Sequence, residues 1–252
     1  MPFKLYVLDL DGTLFRGRTP LPYAVEVVNE LVAKGARIAY VTNNSGMTPS
    51  AIGNKLEAMG FPVRDQIVLN SGFGAARYLA AQGIATAFVV GEPGLHETMT
   101  SNGVKPVGVS EKFTSQAVVA GIYRSLDFAV LSAAADLIRS GVPFIATNTD
   151  ATYPIENGGL IPGAGAVIAY LERASGKTAT VIGKPEPILI EEAMRQAKAT
   201  PAETLVVGDR YETDIESGSR AGCATHLVLT GVTQTPPKGI DFSEDLRGLL
   251  NR

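Results

Sequence analysis

The 252-residue chain is poor in several residue types, and each shortage excludes a class of protein. It has one cysteine, Cys223, so no disulfide can form within the chain and a disulfide-stabilised scaffold is excluded. Charged residues make up only 19%, with 22 Lys and Arg against 25 Asp and Glu, and they form no basic stripe of the kind that binds nucleic acid. No apolar run approaches the ~20 residues that cross a bilayer, and no basic region precedes the strand-like N-terminus. We therefore expect a soluble, cytoplasmic protein that binds neither nucleic acid nor membrane.

Apolar residues, in contrast, make up 45% of the chain, which is enough for a sizeable core. Short apolar runs alternate with stretches of helical periodicity, and this βαβ rhythm predicts an α/β fold with a doubly wound, mainly parallel, Rossmann-like sheet. We predict a core domain from residues 1–81 and 179–252, interrupted by an inserted α/β cap domain at 82–178. The strand-like run Thr180–Ile182 is placed in the core sheet, and Asn157-Gly158-Gly159 predicts a hairpin in the insert.

Acidic side chains follow two of the predicted strands at the point where each strand ends. Asp9 and Asp11 come after the first strand, and two residues apart on an extended backbone they point the same way, which suits a hard divalent cation such as Mg²⁺. Asp209 and Asp214 follow the strand-like run Leu205–Val207. Because ligands bind at the carboxyl ends of parallel strands, we expect these carboxylates at one site. Either pair alone is equally compatible with an acidic turn or a helix cap.

Two further strand ends carry groups that can bind phosphate. Thr42 and Asn43 follow the second strand, and their hydroxyl and amide groups could hold phosphate oxygens or cap the next helix. Lys184 follows another strand-like run and would place an ammonium group at the same edge. Together the four strand ends supply carboxylates for a metal, and a hydroxyl and a cation for phosphate, a combination that chance placement explains poorly.

This combination resembles the haloacid dehalogenase superfamily, whose four motifs match Asp9–Thr13, Thr42, Lys184 and Asp209–Asp214 in order. The insert between the second and third motifs is similar to that of the branch with a large α/β (C2-type) cap, the NagD and 4-nitrophenylphosphatase group. The similarity extends over nearly the whole chain. It implies a Mg²⁺-dependent phosphatase that hydrolyses small phosphorylated metabolites, with 4-nitrophenyl phosphate as a generic substrate, through an aspartyl-phosphate intermediate.

The resemblance also implies a role for each matched acid. Asp9 would be the nucleophile, and Asp11 would act first as general acid and then as general base. Mg²⁺ would be held by Asp9, the backbone carbonyl of Asp11, and Asp209. Asp214 would orient water or Lys184 without binding the metal itself.

The phosphoryl group would be bound by the remaining motif residues. The resemblance implies that its oxygens contact the side chains of Thr42, Asn43 and Lys184. Backbone N–H groups around Leu10 and Gly12 would complete the phosphate-binding set. These groups would recognise phosphate and nothing else of the substrate, so selectivity is expected in the cap.

Candidate selectivity residues are less distinct. Asn148 and Asp150 follow a cap strand and could contact the leaving group, although a turn-forming role explains them more simply. His96, His226 and Cys223 lie beside no motif with metal-ligand or nucleophile spacing, and we expect structural roles for them. Caps of this type often pair in related proteins, so a homodimer through the cap is one option.

Two other functions remain open from the sequence. A phosphotransferase or mutase would use the same aspartyl chemistry but pass the phosphate to an acceptor other than water. A phosphoacceptor signalling module also combines strand-end acids, a Thr and a Lys in an α/β sheet, but such modules run to ~120 residues in one domain. The Asp9/Asp11 pair and the large insert argue against it. The physiological substrate is not specified: sugar phosphates, nucleoside monophosphates, phosphoglycolate and pyridoxal phosphate all fit the resemblance.

Overall fold

The computed structural model describes residues 3–154 and 159–250. Within them the strands are β1 (Leu5–Leu8), β2 (Phe15–Arg16), β3 (Thr19–Pro20), β4 (Arg37–Thr42), β5 (Ile67–Asn70), β6 (Thr86–Val90), β7 (Lys105–Val107), β8 (Ala117–Ala120), β9 (Phe144–Ala146), β10 (Thr152–Pro154), β11 (Leu160–Pro162), β12 (Thr180–Val181), β13 (Thr204–Gly208), β14 (Ala224–Val228) and β15 (Phe242–Ser243). The α-helices are α1 (Ala24–Ala33), α2 (Pro49–Ala58), α3 (Ser71–Ala81), α4 (Pro93–Ser101), α5 (Phe128–Arg139), α6 (Ala164–Ser175), α7 (Ile188–Ala197) and α8 (Glu216–Arg220). Among the described residues, no helix combines the length and the hydrophobicity that a membrane crossing requires.

The chain divides into two compact units. The first consists of Met1–Thr42, Ser50–Leu69 and Lys184–Arg252, and the second of Asn43–Pro49 and Asn70–Gly183. Packing thus groups α3 and the short segment after β4 with the second unit. The bounds 82–178 of the expected cap domain come from the position of the insert along the chain. These bounds and the role of the cap in substrate selectivity stay predictions.

The first unit is built on a six-stranded sheet with the order β15-β14-β13-β1-β4-β5. The pairs formed by β15, β14, β13, β1 and β4 are all parallel. β1 lies between β13 and β4, and its sequence Leu-Tyr-Val-Leu is buried on both faces, as expected for the central strand of a covered parallel sheet. Helices α1 and α7 pack against this centre. The predicted α/β class with a mainly parallel sheet is confirmed.

The second unit has its own five-stranded sheet, with the order β12-β9-β8-β6-β7 and parallel pairing throughout. Helices α5 and α6 pack against each other and cover the sheet with apolar residues such as Leu137, Ile138 and Val167. The placement of Thr180–Ile182 in the core sheet was wrong, because β12 pairs with β9 in this second sheet. The sequence pattern identifies a strand, but it carries no information about the strand's partner.

The predicted hairpin is present as a pair of strands. β10 and β11 pair antiparallel, with Tyr153 opposite Ile161. The predicted turn residues Asn157 and Gly158 lie outside the described residues, so the structure bears on the strands of the hairpin and not on its turn.

Asn70 is the N-cap residue of α3. Its side chain accepts a hydrogen bond from the Phe73 amide at 2.8 Å and donates one to the Met47 carbonyl at 2.6 Å. The residue is fully buried. A single amide group therefore caps a helix and satisfies a neighbouring carbonyl where water has no access.

We predict that Asn70→Ala lowers the free energy of unfolding by about 2 kcal/mol, because it removes the helix cap and leaves a buried carbonyl without its donor. The matched control is Asp127→Ala, which removes the exposed cap of α5 and its bonds to the Ala129 and Val130 amides. The control should cost about 1 kcal/mol or less. Urea denaturation followed by circular dichroism measures both, and equal losses would contradict the role assigned to burial.

Candidate active site

The carboxyl ends of three adjacent strands create the site in the first unit. The sheet order places β1 between β13 and β4, and all three run parallel. Asp9 follows β1 directly, Thr42 is the last residue of β4, and Asp209 follows β13 directly. Because these strands end at one edge, their terminal side chains meet there, as the sequence pattern predicts.

Three acids and one lysine form the centre of the site. Asp9, Asp209 and Asp214 each offer a carboxylate oxygen within 4.8 Å of the others. Lys184 Nζ donates to Asp9 Oδ1 and to Asp214 Oδ1, both at 2.6 Å, and lies 3.4 Å from the Val41 carbonyl. The Lys184 side chain is only 4% exposed. One ammonium group cannot neutralise three carboxylates, so the cluster has room for further positive charge.

The pKa values in this cluster move as expected for charges held away from water. Burial raises the pKa of Asp9 well above its ordinary value, with Lys184 acting against it and the neighbouring carboxylates of Asp214 and Asp209 adding to it. Burial, followed by the charge of Asp214, raises the pKa of Asp209 to about 6. Burial alone would lower the pKa of Lys184, but the carboxylates of Asp214 and Asp9 outweigh it and raise the pKa. A donor set of clustered carboxylates that repel one another fits a hard divalent cation.

Asp214 is held in place by its own turn. It lies in a π-helical turn, Tyr211–Ile215, that precedes α8. Its Oδ2 accepts from the Arg210 amide at 3.0 Å, and its Oδ1 accepts from Lys184. A Cβ on Gly208 would overlap the Asp214 side chain, so glycine is required for this close approach. The contact with Lys184 is compatible with the expected role of orienting that lysine.

The turn after β1 is shaped by Gly12. Its φ of +91° is a left-handed conformation, and a Cβ at this position would lie 2.6 Å from Asp209 Oδ2. The Gly12 amide donates to the Phe15 carbonyl at 2.9 Å, so a phosphoryl oxygen would have to share that N–H. Thr13 Oγ1 lies 3.4 Å from both Asp9 Oδ2 and Asp209 Oδ1, so both carboxylate oxygens face the Thr13 hydroxyl.

A second polar cluster lies within the second unit and contains three further residues predicted from the sequence, Asn43, Asn148 and Asp150. Asn43 Nδ2 donates to Asp150 Oδ2 at 3.2 Å, and Asn148 Nδ2 donates to the Asn43 carbonyl at 2.7 Å. The Asp150 amide also donates to Asn148 Oδ1 at 3.1 Å, which is the turn-forming contact. The Asn44 amide group donates to the Tyr153 hydroxyl at 3.1 Å. The structure thus joins Asn43, Asn148 and Asp150 in one hydrogen-bonded group.

Comparison with known proteins finds relatives that are similar to this chain over most of its length. Residues 6–105 match the haloacid dehalogenase-like hydrolase family, and residues 181–244 match a HAD-hydrolase-like family. The 5′-nucleotidase YutF of Bacillus subtilis is 38% identical over 92% of this chain and 89% of its own length. The chain belongs to the haloacid dehalogenase-like hydrolase family. The family assignment made from the four motifs is therefore confirmed.

Two further proteins are similar to this chain along nearly their whole length. An acid sugar phosphatase of Staphylococcus aureus is 34% identical over 92% of this chain and 88% of its own. The crystal structure of a 4-nitrophenylphosphatase from Thermotoga maritima superposes with a TM-score of 0.91 at 29% identity, covering 100% of this chain and 97% of that one. The latter agrees with the 4-nitrophenylphosphatase-like group expected from the sequence.

One part of the candidate site has no counterpart among the four motifs. The loop Thr230–Thr233 follows β14, the strand next to β13, and the Val232 amide donates to Asp209 Oδ2 at 2.6 Å. The sequence does contain a signal for it, because Gly231 comes shortly after a predicted strand. Such a glycine is too common to be assigned a role without the structure.

The histidines and the cysteine lie outside the acid cluster. His226 is buried in β14, where its ring nitrogens contact Asp241 Oδ2 at 2.9 Å and Ser243 Oγ at 2.7 Å. His96 lies in α4 of the second unit. Burial raises the pKa of Cys223 to about 11, which makes it a poor nucleophile. The contacts of His226 and the raised pKa of Cys223 agree with the structural roles expected for these two residues, and the role of His96 stays a prediction.

We predict that Gly12→Ala lowers kcat/KM for 4-nitrophenyl phosphate by about 10–100-fold, because the new methyl group displaces the Asp209 carboxylate. The matched control is Gly35→Ala. Gly35 has nearly the same φ, +90°, but a Cβ there would meet nothing within 4 Å. Both variants place an alanine at a φ near +90°, where an L-residue is strained by about 1–2 kcal/mol, so an equal loss of activity in the control would attribute the effect to strain alone.

Proposed function

We propose that this hydrolase is a Mg²⁺-dependent phosphomonoesterase that acts on small phosphorylated metabolites through an aspartyl-phosphate intermediate. The observation that carries the proposal is the buried cluster of Asp9, Asp209 and Asp214 around the ammonium group of Lys184. Carboxylate oxygens suit Mg²⁺, and the lysine suits a phosphate dianion. The relatives named as a 5′-nucleotidase, an acid sugar phosphatase and a 4-nitrophenylphosphatase support the reaction class.

In the first step Asp9 attacks phosphorus in line with the departing ester oxygen, so a bond forms to its carboxylate as the ester P–O bond breaks. Lys184 holds Asp9 Oδ1 at 2.6 Å and thereby fixes the orientation of the nucleophile. When Mg²⁺ is bound, Asp9, the Asp11 carbonyl and Asp209 would hold it, and it would supply positive charge that offsets the repulsion between carboxylate and phosphate.

Asp11 moves the proton in both steps. It protonates the leaving oxygen, and it then accepts a proton from the water that hydrolyses the aspartyl-phosphate. Burial raises the pKa of Asp11, while the charges of Lys55 and Lys184 act against that shift. A raised pKa favours the protonated carboxyl group that the first step requires.

The transferring phosphoryl group is bound by side chains and amides at the ends of β1 and β4. Thr42 is buried at the end of β4, and Asn43 follows it directly. Their side chains, the amides around Leu10 and Gly12, and Lys184 form the proposed phosphate-binding set. They read only the phosphate, so any phosphoric monoester of suitable size satisfies them.

Selectivity between substrates is assigned to residues 82–178. Asn148 and Asp150 are the proposed contacts to the leaving group, and both form hydrogen bonds with Asn43 within the second unit. Nucleoside monophosphates and sugar phosphates are the first classes to compare, since the relatives are named for them.

The test is hydrolysis of 4-nitrophenyl phosphate with Mg²⁺ by the wild type and by Asp9→Asn. We predict that Asp9→Asn lowers kcat by several orders of magnitude, because an amide cannot act as the nucleophile. EDTA should abolish wild-type turnover, and added Mg²⁺ should restore it. The control is Asp65→Asn, which changes an acid whose side chain is 89% exposed in a surface loop and should leave the rate unchanged.

Substantial activity that survives either Asp9→Asn or EDTA would contradict the proposed chemistry. Adding a simple alcohol to the same assay separates the alternatives. A hydrolase releases free phosphate, whereas a phosphotransferase would form a new phosphate ester of the alcohol. A stable acyl-phosphate without turnover would instead indicate a phosphoacceptor module.

A further inference from the structure

The loop Thr230–Thr233 lies where three strand ends adjoin. It follows β14, and the sheet order β14-β13-β1 places the end of β13, and with it Asp209, between this loop and the turn after β1. The loop belongs to none of the four motifs. The Val232 side chain is 57% exposed, so the contacts of this segment with the site are made through its backbone and its threonines.

Asp209 is tied to this loop at both its side chain and its backbone. The Val232 amide donates to Asp209 Oδ2 at 2.6 Å, and the Thr233 amide donates to the Asp209 carbonyl at 3.0 Å. Thr233 Oγ1 in turn accepts from the Tyr211 amide at 3.0 Å. The first two bonds hold the backbone and the carboxylate of Asp209, and the third ties the loop to the turn that follows Asp209. With Oδ2 held by the amide, Oδ1 lies on the side of Thr13.

The same loop is fastened to the turn after β1. Thr230 Oγ1 donates to the Gly12 carbonyl at 2.6 Å, and Arg16 Nη2 donates to the Thr230 carbonyl at 2.5 Å. Gly231, between these contacts and those of Val232, lies so close to Asp209 that a Cβ would overlap its carboxylate. Gly12 approaches Asp209 Oδ2 as well, so the carboxylate lies between two glycines.

We propose that the loop Thr230–Thr233 is a positioning element that presents the Asp209 carboxylate to a divalent cation, with Thr230 and Gly231 as its positioning residues. The proposal rests on the proposed metal-dependent function. Orientation matters here because a hard cation demands oxygen ligands at defined distances, and a carboxylate fixed in advance does not have to be ordered on binding. Gly231 provides the space, the Val232 amide provides the orientation, and Thr230 holds the loop to the β1 turn.

The experiment measures binding of Mn²⁺, a carboxylate-preferring substitute for Mg²⁺, by electron paramagnetic resonance without substrate. Gly231→Ala should weaken Mn²⁺ binding at least tenfold. Its control is Gly108→Ala, at a site without a left-handed φ where a Cβ would meet nothing within 4 Å. Thr230→Val should also weaken binding, Thr230→Ser should restore it by returning the hydroxyl, and Thr235→Val, at an exposed threonine beyond the loop, should leave it unchanged.

The outcomes separate this proposal from the proposed function. If the wild type and both loop variants bind Mn²⁺ equally, the positioning role is wrong and the metal-dependent function stands. If the wild type binds no Mn²⁺, both proposals fail together. If circular dichroism shows that Gly231→Ala does not fold, Thr230→Val and its serine rescue decide: weaker binding restored by serine supports the proposal, and unchanged binding overturns it.

Discussion

The rest of the site depends on four charged side chains that are packed together and largely buried. Asp9, Asp209 and Asp214 surround Lys184, and three carboxylates with one ammonium group leave excess negative charge when all are ionised. A buried charge without a partner costs several kcal/mol, so the cluster either retains protons or binds a cation. The raised pKa values of Asp9 and Asp209 express the first response, and the proposed Mg²⁺ site is the second.

The parallel sheet can hold such a cluster because its strands end at one edge and keep the acids in fixed positions there. Asp9 and Asp209 follow neighbouring strands, and Asp214 is turned back towards them by a π-helical turn. Small residues at Gly12, Gly208 and Gly231 let these carboxylates approach the main chain. The same enzyme fold therefore supplies the charge, the rigidity and the space, and the protein's net charge of −3 is no obstacle to an anionic substrate.

The sequence was sufficient for features that depend on local pattern. Apolar runs followed by acids predicted the convergence of Asp9 and Asp209, and the motif order predicted the family. It was insufficient where structure depends on distant partners. β12 is two residues long, and only its pairing with β9 shows that it belongs to the second sheet. The loop around Gly231 contacts the Asp209 carboxylate through a backbone amide, which any residue except proline supplies, so the sequence could not show that this contact exists.

The central claim is that the cluster makes Asp9 a nucleophile. The most direct test begins with an enzyme sample that is turning over substrate in the presence of Mg²⁺ and is then quenched. Borohydride reduces any aspartyl-phosphate in the sample to homoserine. Mass spectrometry then sequences the tryptic peptide from Leu5 to Arg16. The account predicts homoserine at position 9, dependent on both substrate and metal, and an intact Asp11 in the same peptide. Homoserine at position 11, or no reduced residue in an actively turning-over sample, would contradict it.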